Sequence, residues 1–554
     1  MSNKKLLHNY LEKEYISQQE MDVVLKIAET SHHNVHDILL ACGFVTAKEV
    51  ATIKAKHLRT KYVDLTKMMP TTEALELLDR AKAIELTLLP LKLEDDILTV
   101  AIDESNDFIR KQYLERVTGK EIRFVISSKK EILNHLMNHE YFTKDDAILE
   151  KINFLKQQSL HNTDIVNLVE LLIEDAIEDQ ASDIHLSPEK DVLNVFFRID
   201  GILTHYHSLP ISFQKQIVSR IKILAKLDIT QTTLPQDGQI EYNYFHKDFR
   251  LRVSTIFTTY GENVVMRILK NSVADLSVSS LGLSKRHERL LTKLFKQPNG
   301  LILVTGPTGS GKTTTLYSAL KEINSLSKNI LTVEDPIEYQ IPFVKQTQIN
   351  IKSGYTFDIA LRAFMRQDPD VILVGEIRDQ ETASLALRAS ITGHLVLSTL
   401  HTNDAVGAIN RLVDLGIPNY LVGSATIAIL AQRLVRKLCP HCKKEVQNRD
   451  EELHRHKVSQ RVQKEYENNI SIYEAKGCEK CSFSGYNSRS MIIEILQVDK
   501  QIEDMITASK PSLEILTYAR SKGMLSMLEN GHAKVLEGIT SFEEIERVVL
   551  DREI

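Results

Sequence analysis

Apolar residues recur at helical spacing in the stretch NTDIVNLVELLIEDAIE. Ile165, Leu168, Val169, Leu172, Ile173, Ala176 and Ile177 fall on one face, and Thr163 or Asp164 can cap the helix they predict. The next segments, SDIHLSP and DVLNVFFRIDG, change period. In DVLNVFFRIDG, Val195, Phe197 and Ile199 alternate with Asn194, Phe196, Arg198 and Asp200, which is a strand pattern. From about 285 to 440 helical segments alternate with the short apolar runs LILVT, ILTV, VILV and HLVLS. Runs of this kind are buried parallel strands, so the segment is expected to form a doubly wound α/β sheet.

The ends of the chain read differently. HNVHDILLACGFVTAKEVATIKAKH predicts two short helices around a turn at Cys42-Gly43-Phe44. LPLKLEDDILTVAIDE predicts a hairpin turning at Glu94-Asp95-Asp96, and KEIRFVISS a further strand. The charged stretch near Lys144–Gln158 is expected to be a linker. After 440 a charged, cysteine-containing stretch leads to the helical patterns LEILTYARSKGM and FEEIERVV. The expected organisation is an N-terminal docking region (1–142), a linker (143–160), an α/β domain (161–275), a nucleotide-binding core (285–438), a tetracysteine module (439–485) and a C-terminal helical region (486–554).

A chain of 554 residues has room for several such cores. Its net charge of −5 argues against a nucleic-acid-binding role, which usually comes with a basic excess. The opening MSNKKLLHNYLEKE has no apolar core of the secretory type, and the longest apolar stretch, near Leu421–Ala431, is too short to span a membrane. The expectation is a cytoplasmic protein whose membrane role is peripheral.

Gly306-Pro307-Thr308-Gly309-Ser310-Gly311-Lys312-Thr313 satisfies the G-x-x-x-x-G-K-[ST] pattern, between the strand LILVT and the helical TTTLYSALKEI, which begins with Thr313 and continues through Thr314, a further phosphate-binding candidate. The glycines let backbone N–H groups turn toward phosphate oxygens at a helix N-terminus. Lys312 can bridge the β and γ phosphates of ATP, and the Thr313 hydroxyl can ligate Mg²⁺. Such a site needs carboxylates at the ends of neighbouring strands. ILTVEDPIEY supplies Glu334, Asp335 and Glu338, and VILVGEIRD supplies Glu376. His394 and His401 flank a third strand in TGHLVLSTLHTNDA and are candidates for sensing the γ-phosphate. Cys439, Cys442, Cys478 and Cys481 form two C-x-x-C pairs, the pattern of one closed structural Zn²⁺ site, with His441 as an alternative donor. The charged segment between them, Lys443–Gly477, is too poor in apolar residues to order itself by burial, so zinc is expected to pin its ends.

These motifs together resemble the type II secretion and type IV pilus assembly ATPases. SDIHLSP, FRIDG, LPQDG, the P-loop, TVEDPIEY, VILVGEIRD, GHLVLSTLHT, LAQRLVRKLCPHC and GMLSMLENGHAKVLEGITSFEEI all take part, over about 160 to 554. The resemblance implies a RecA-like P-loop ATPase core behind a mobile α/β domain, in a homo-hexamer at the inner membrane that works with a platform protein and its cytoplasmic adaptors. It implies that Glu376 is the Walker B carboxylate and Glu338 the Asp-box carboxylate. It also implies that Arg252 and Arg267 of LRVSTIFTTYGENVVMRIL reach the nucleotide phosphates. Thr232-Thr233 and Gln239 stand around LPQDG where the family often has arginine. Residues 1–65 faintly resemble domains that bind cyclic di-GMP, but Asn34-Val35-His36 and Lys5-Leu6-Leu7 stand where an Arg-Leu-Gly motif is expected. Protein docking is therefore expected there instead. Retraction enzymes generally lack the cysteine module and the long N-terminal region. A nucleic-acid translocase would carry a basic stripe. Both are the lesser readings.

Overall fold

The computed structural model describes residues 3–30, 34–58, 60–65, 68, 70–103, 108–137, 162–245, 247–270, 276–466, 470–481 and 483–549. The expected linker at 144–158 lies outside them. The chain divides into two units, 1–274 and 275–554.

In the first unit, helices Asn3–Leu11, Gln18–Thr30, Val35–Ala41 and Ala47–His57 share a core around Leu7, Tyr10, Val24, Leu39 and Ile53. The last two are the pair expected around Cys42. Asn34 caps one by accepting from the Asp37 N–H, and Thr46 with Glu49 closes a capping box on the other. The expected hairpin joins Leu88–Glu94 to Ile97–Ile102 through Asp95 and Asp96, both left-handed at φ 48° and 65°. Aspartate tolerates that region better than most residues, which suits the tight turn. Glu121–Ile126 returns parallel to the second strand after helix Phe108–Thr118.

Helix Asn162–Glu178 buries each of the seven apolar residues its periodicity singles out. The same core takes in a six-stranded antiparallel sheet in the order Ile202–Pro210, Val192–Ile199, Asp183–Pro188, Gly261–Lys270, Lys247–Thr258, Gln236–Tyr244.

The second unit is built on seven strands in the order Lys345–Gln348, Ile330–Glu334, Val371–Val374, Leu395–Leu400, Gly300–Thr305, Thr426–Leu438, Tyr486–Gln497. All neighbours are parallel except the last pair. The four apolar runs are its central strands, and every residue of Gly300–Thr305, Ile330–Glu334, Val371–Val374 and Leu395–Leu400 is buried. A parallel sheet covered on both faces requires this.

Two expectations change here. The region after 486 is not wholly helical: Tyr486–Gln497 is an edge strand of the same sheet, antiparallel to Thr426–Leu438. The charged segment between the cysteine pairs is also ordered beyond its ends. It forms helices Arg449–Arg455 and Gln460–Tyr466, and Leu453, Val458, Val462 and Ile472 are buried in the main core of this unit. A segment with few apolar residues cannot make a core, but it can join one that already exists. Val462→Ala should therefore destabilise the second unit by roughly 2 kcal/mol, whereas Lys464→Ala, at an exposed position of the same helix, should be neutral in urea denaturation. A mobile insert would leave both variants at the parental midpoint.

Candidate functional site

Parallel strands bring their C-terminal ends to one edge, and the loops that leave that edge carry the candidate chemistry. The P-loop leaves at Thr305. Its glycines Gly306, Gly309 and Gly311 have φ of 145°, 79° and 88°. At Gly306 a side chain is also excluded by space: an added Cβ would lie 2.4 Å from the Gln432 carbonyl oxygen and 2.7 Å from Ser310 Oγ. Gly311 then opens helix Lys312–Ile323. Lys312 Nζ donates to the carbonyls of Gly306 and Pro307 at 2.8 and 3.0 Å. Burial lowers its pKa, and the charge of Glu376 opposes that shift.

Glu376 follows the strand Val371–Val374 and pairs with Arg378, with His401 Nε2 at 3.7 Å on its other oxygen. Burial and the Lys312 charge push the His401 imidazole below its ordinary range, against the pull of Glu376. Hydroxyls fix the turns that present these groups. Thr399 donates to the Gly375 carbonyl at 2.7 Å, and the Thr402 N–H donates to Thr305 Oγ1 at 2.8 Å.

The turn after Ile330–Glu334 is held from inside. Glu334 is buried, and its carboxylate accepts from Thr332 Oγ1 at 2.5 Å, from Gln346 Nε2 at 3.1 Å and from the Tyr317 hydroxyl. Tyr317 Oη in turn accepts from the Glu338 N–H at 3.2 Å. Glu334 is thus a buried anchor, and Glu338 is the partly exposed carboxylate of this turn.

The four cysteine sulfurs lie within 4.8 Å of one another. Cys439–Cys478, Cys442–Cys481 and Cys478–Cys481 are 3.9, 3.8 and 3.8 Å apart. A tetrahedron with Zn–S bonds of about 2.3 Å has edges of about 3.8 Å, so the donor set fits one zinc ion. His441 is not part of the cluster. Burial alone would raise the Cys481 thiol, but the amide N–H groups of Cys478 and Gly485 outweigh it and bring it down to about 7. Amide donors of this kind stabilise a thiolate.

The family model described as Type II/IV secretion system protein matches residues 158–547. The chain belongs to that family. A model described as the MshEN domain matches residues 58–145. Type II secretion system protein E of Pseudomonas aeruginosa is 43% identical over 73% of this chain and 78% of its own length. The type IV pilus assembly ATPase PilB of Myxococcus xanthus is 34% identical over 96% of each chain. The ATPase DotB of Legionella pneumophila has the same fold, with a TM-score of 0.50 and 22% identity over 68% of this chain and 94% of its own. The chain is therefore a RecA-like ATPase of the secretion family.

Within this secretion ATPase, the expected site residues divide. Lys312, Glu376 and His401 meet at the P-loop edge of the sheet, and Thr313 follows Lys312 in the first turn of the helix. His394 does not join them. It precedes strand Leu395–Leu400, its backbone carbonyl accepts from the Gly300 N–H, and its ring Nδ1 is 2.9 Å from the Ala389 carbonyl. That is the edge where strands enter, opposite the P-loop, so within this chain His394 lies apart from the other expected site residues. Arg252 and Arg267 face each other across adjacent strands of the first unit. Arg267 Nε donates to Asp183 Oδ1 at 2.8 Å, and Arg198 lies 3.5 Å from the other oxygen of that carboxylate. Gln432 and Tyr317 were not singled out by sequence. Both are polar residues in apolar strand or helix patterns, and that is the one signal they offered.

Proposed function

We propose that this ATPase hydrolyses ATP at the P-loop edge to power assembly of a type IV pilus or type II secretion fibre. The observation that carries this reading is the convergence of Lys312, Glu376 and His401 on one strand edge, in a chain similar over 73% of its length to protein E and over 96% to PilB. Gly306 to Thr314 cradle the phosphates, and Lys312 supplies the cation, with the Glu376 charge working against the effect of its burial. Thr313 and the Walker B carboxylate Glu376 would hold Mg²⁺, which neutralises charge on the transferring phosphoryl group. Glu338, whose backbone N–H is held by Tyr317, and Glu376 are the two carboxylates that can orient or deprotonate the attacking water. His401, held below its ordinary range by burial and then by the Lys312 charge, is available to hydrogen-bond the γ-phosphate.

Arg252 and Arg267 carry the task implied by the resemblance, stabilising the phosphoryl group from the mobile domain. To do so Arg267 would exchange its bond to Asp183 for one to phosphate. The enzyme works as a homo-hexamer at the cytoplasmic face of the inner membrane, against a platform protein and its adaptors. Among the described residues no helix is long and apolar enough to cross a membrane. Residues 1–142 dock a protein partner and not cyclic di-GMP. Asn34 is engaged as a helix cap, and the ring of His36 is hydrogen-bonded to the Tyr10 hydroxyl at 2.7 Å. One Zn²⁺ on the four cysteines fastens the module, and with no open coordination position it takes no part in hydrolysis.

Lys312→Ala should abolish phosphate release, and Glu376→Gln should bind ATP while losing turnover. Parental rates in either purified variant would falsify the site. Arg252→Ala and Arg267→Ala should slow hydrolysis by on the order of a thousandfold while nucleotide affinity, read by calorimetry, changes less. Elemental analysis should find one zinc per chain, absent from a Cys478→Ser/Cys481→Ser variant that still hydrolyses ATP but supports no fibre assembly in cells. A metal-free parental protein would end the zinc assignment.

A further inference from the structure

A P-loop binds phosphate because its N–H groups point inward, yet a chain turning through three left-handed glycines has no intrinsic reason to hold that shape. In this protein the loop is gripped from beneath by a side chain outside the motif. Gln432 lies on strand Thr426–Leu438 and is 0% exposed. Its Nε2 donates to the Ser310 carbonyl at 2.9 Å, and its Oε1 accepts from the Thr315 hydroxyl at 2.8 Å. Ser310 belongs to the loop, and Thr315 to the first turn of the helix that follows. One amide thus ties the loop to its helix.

The consequence follows from peptide planarity. In a trans peptide the C=O of one residue and the N–H of the next point in opposite directions. Anchoring the Ser310 oxygen on Gln432, on the buried side of the loop, turns the Gly311 N–H to the opposite, open side. Were that peptide to flip, an oxygen would face the phosphate in place of a donor. The Gln432 backbone adds a second constraint, because its carbonyl oxygen leaves no space for a side chain at Gly306.

We propose that Gln432 is a positioning residue for nucleotide binding, holding the Ser310–Gly311 peptide in the orientation that donates to phosphate. The inference rests on the reading of the P-loop as the ATP site. Its energetic weight falls on ground state and transition state alike, so it is expressed in KM and nucleotide affinity more than in kcat. Gln432→Met keeps the length and removes the amide. It should raise KM for ATP and Kd for ADP on the order of tenfold, the scale of a buried hydrogen bond to a loop that must stay preorganised, with a smaller fall in kcat. Thr315→Val removes one hydroxyl at nearly constant shape. It should shift KM in the same direction by less, and adding it to Gln432→Met should change little further.

The test is full-chain steady-state hydrolysis with calorimetric ADP binding, with Lys312→Ala run alongside. Parental KM and Kd in Gln432→Met overturn the proposal, as does a fall in kcat with KM unchanged. If Lys312→Ala hydrolyses ATP normally, the P-loop reading itself fails. If Lys312→Ala is inactive while Gln432→Met binds nucleotide like the parent, the positioning inference alone fails. Should Gln432→Met not fold, an unchanged KM in Thr315→Val overturns the proposal.

Discussion

A strand inside a sheet must place every backbone donor and acceptor on its neighbours, and the strand Thr426–Leu438 meets this demand in two stages. As far as Ala431 it runs parallel to the P-loop strand, and along its length it is antiparallel to Tyr486–Gln497. The P-loop strand ends at Thr305, opposite Ala431. Beyond that point the longer strand continues beside the loop, which brings Gln432 beneath Ser310 and carries the chain on to Cys439. The nucleotide site and the cysteine cluster are therefore built on the same two-stranded stem.

The charges at the strand edge constrain one another. Burial of Lys312 favours its neutral form, and the Glu376 charge opposes that shift. Lys312 in turn, after burial itself, holds His401 below its ordinary range. Each group has its state set by its neighbours, which is the arrangement a site needs if it is to receive a polyanion without a large rearrangement of its own charges. The Thr399 hydroxyl, donating to the Gly375 carbonyl, and the Thr305 hydroxyl, accepting from the Thr402 N–H, tie down the turns that present these groups.

The cysteine module shows how far burial can reach. Its intervening segment looks solvated in sequence because charge outnumbers apolar side chains. Val462, buried on one short helix, is nevertheless part of the same core as Leu301 of the P-loop strand. Composition measures what a segment can bury against itself, and that undercounts a segment laid against a neighbour.

Sequence alone determined whatever is local. The period of Ile165 to Ile177 gave a helix with that face buried, the apolar runs gave the central strands, and the P-loop and paired cysteines announced their chemistry through fixed spacing. The ends of the predicted strands extended this to Glu376 and His401 as candidates. Tertiary structure decided whatever depends on distant partners. Gln432 meets Ser310 across 122 residues, and Tyr486–Gln497 joins the sheet because Thr426–Leu438 offers it an open edge. His394 and His401 look equivalent at the two ends of one strand, yet only one of those ends faces the phosphate loop. The reason is the same in each case: a hydrogen bond or a sheet edge is satisfied by whichever group the fold brings near, and short-range periodicity carries no record of that group.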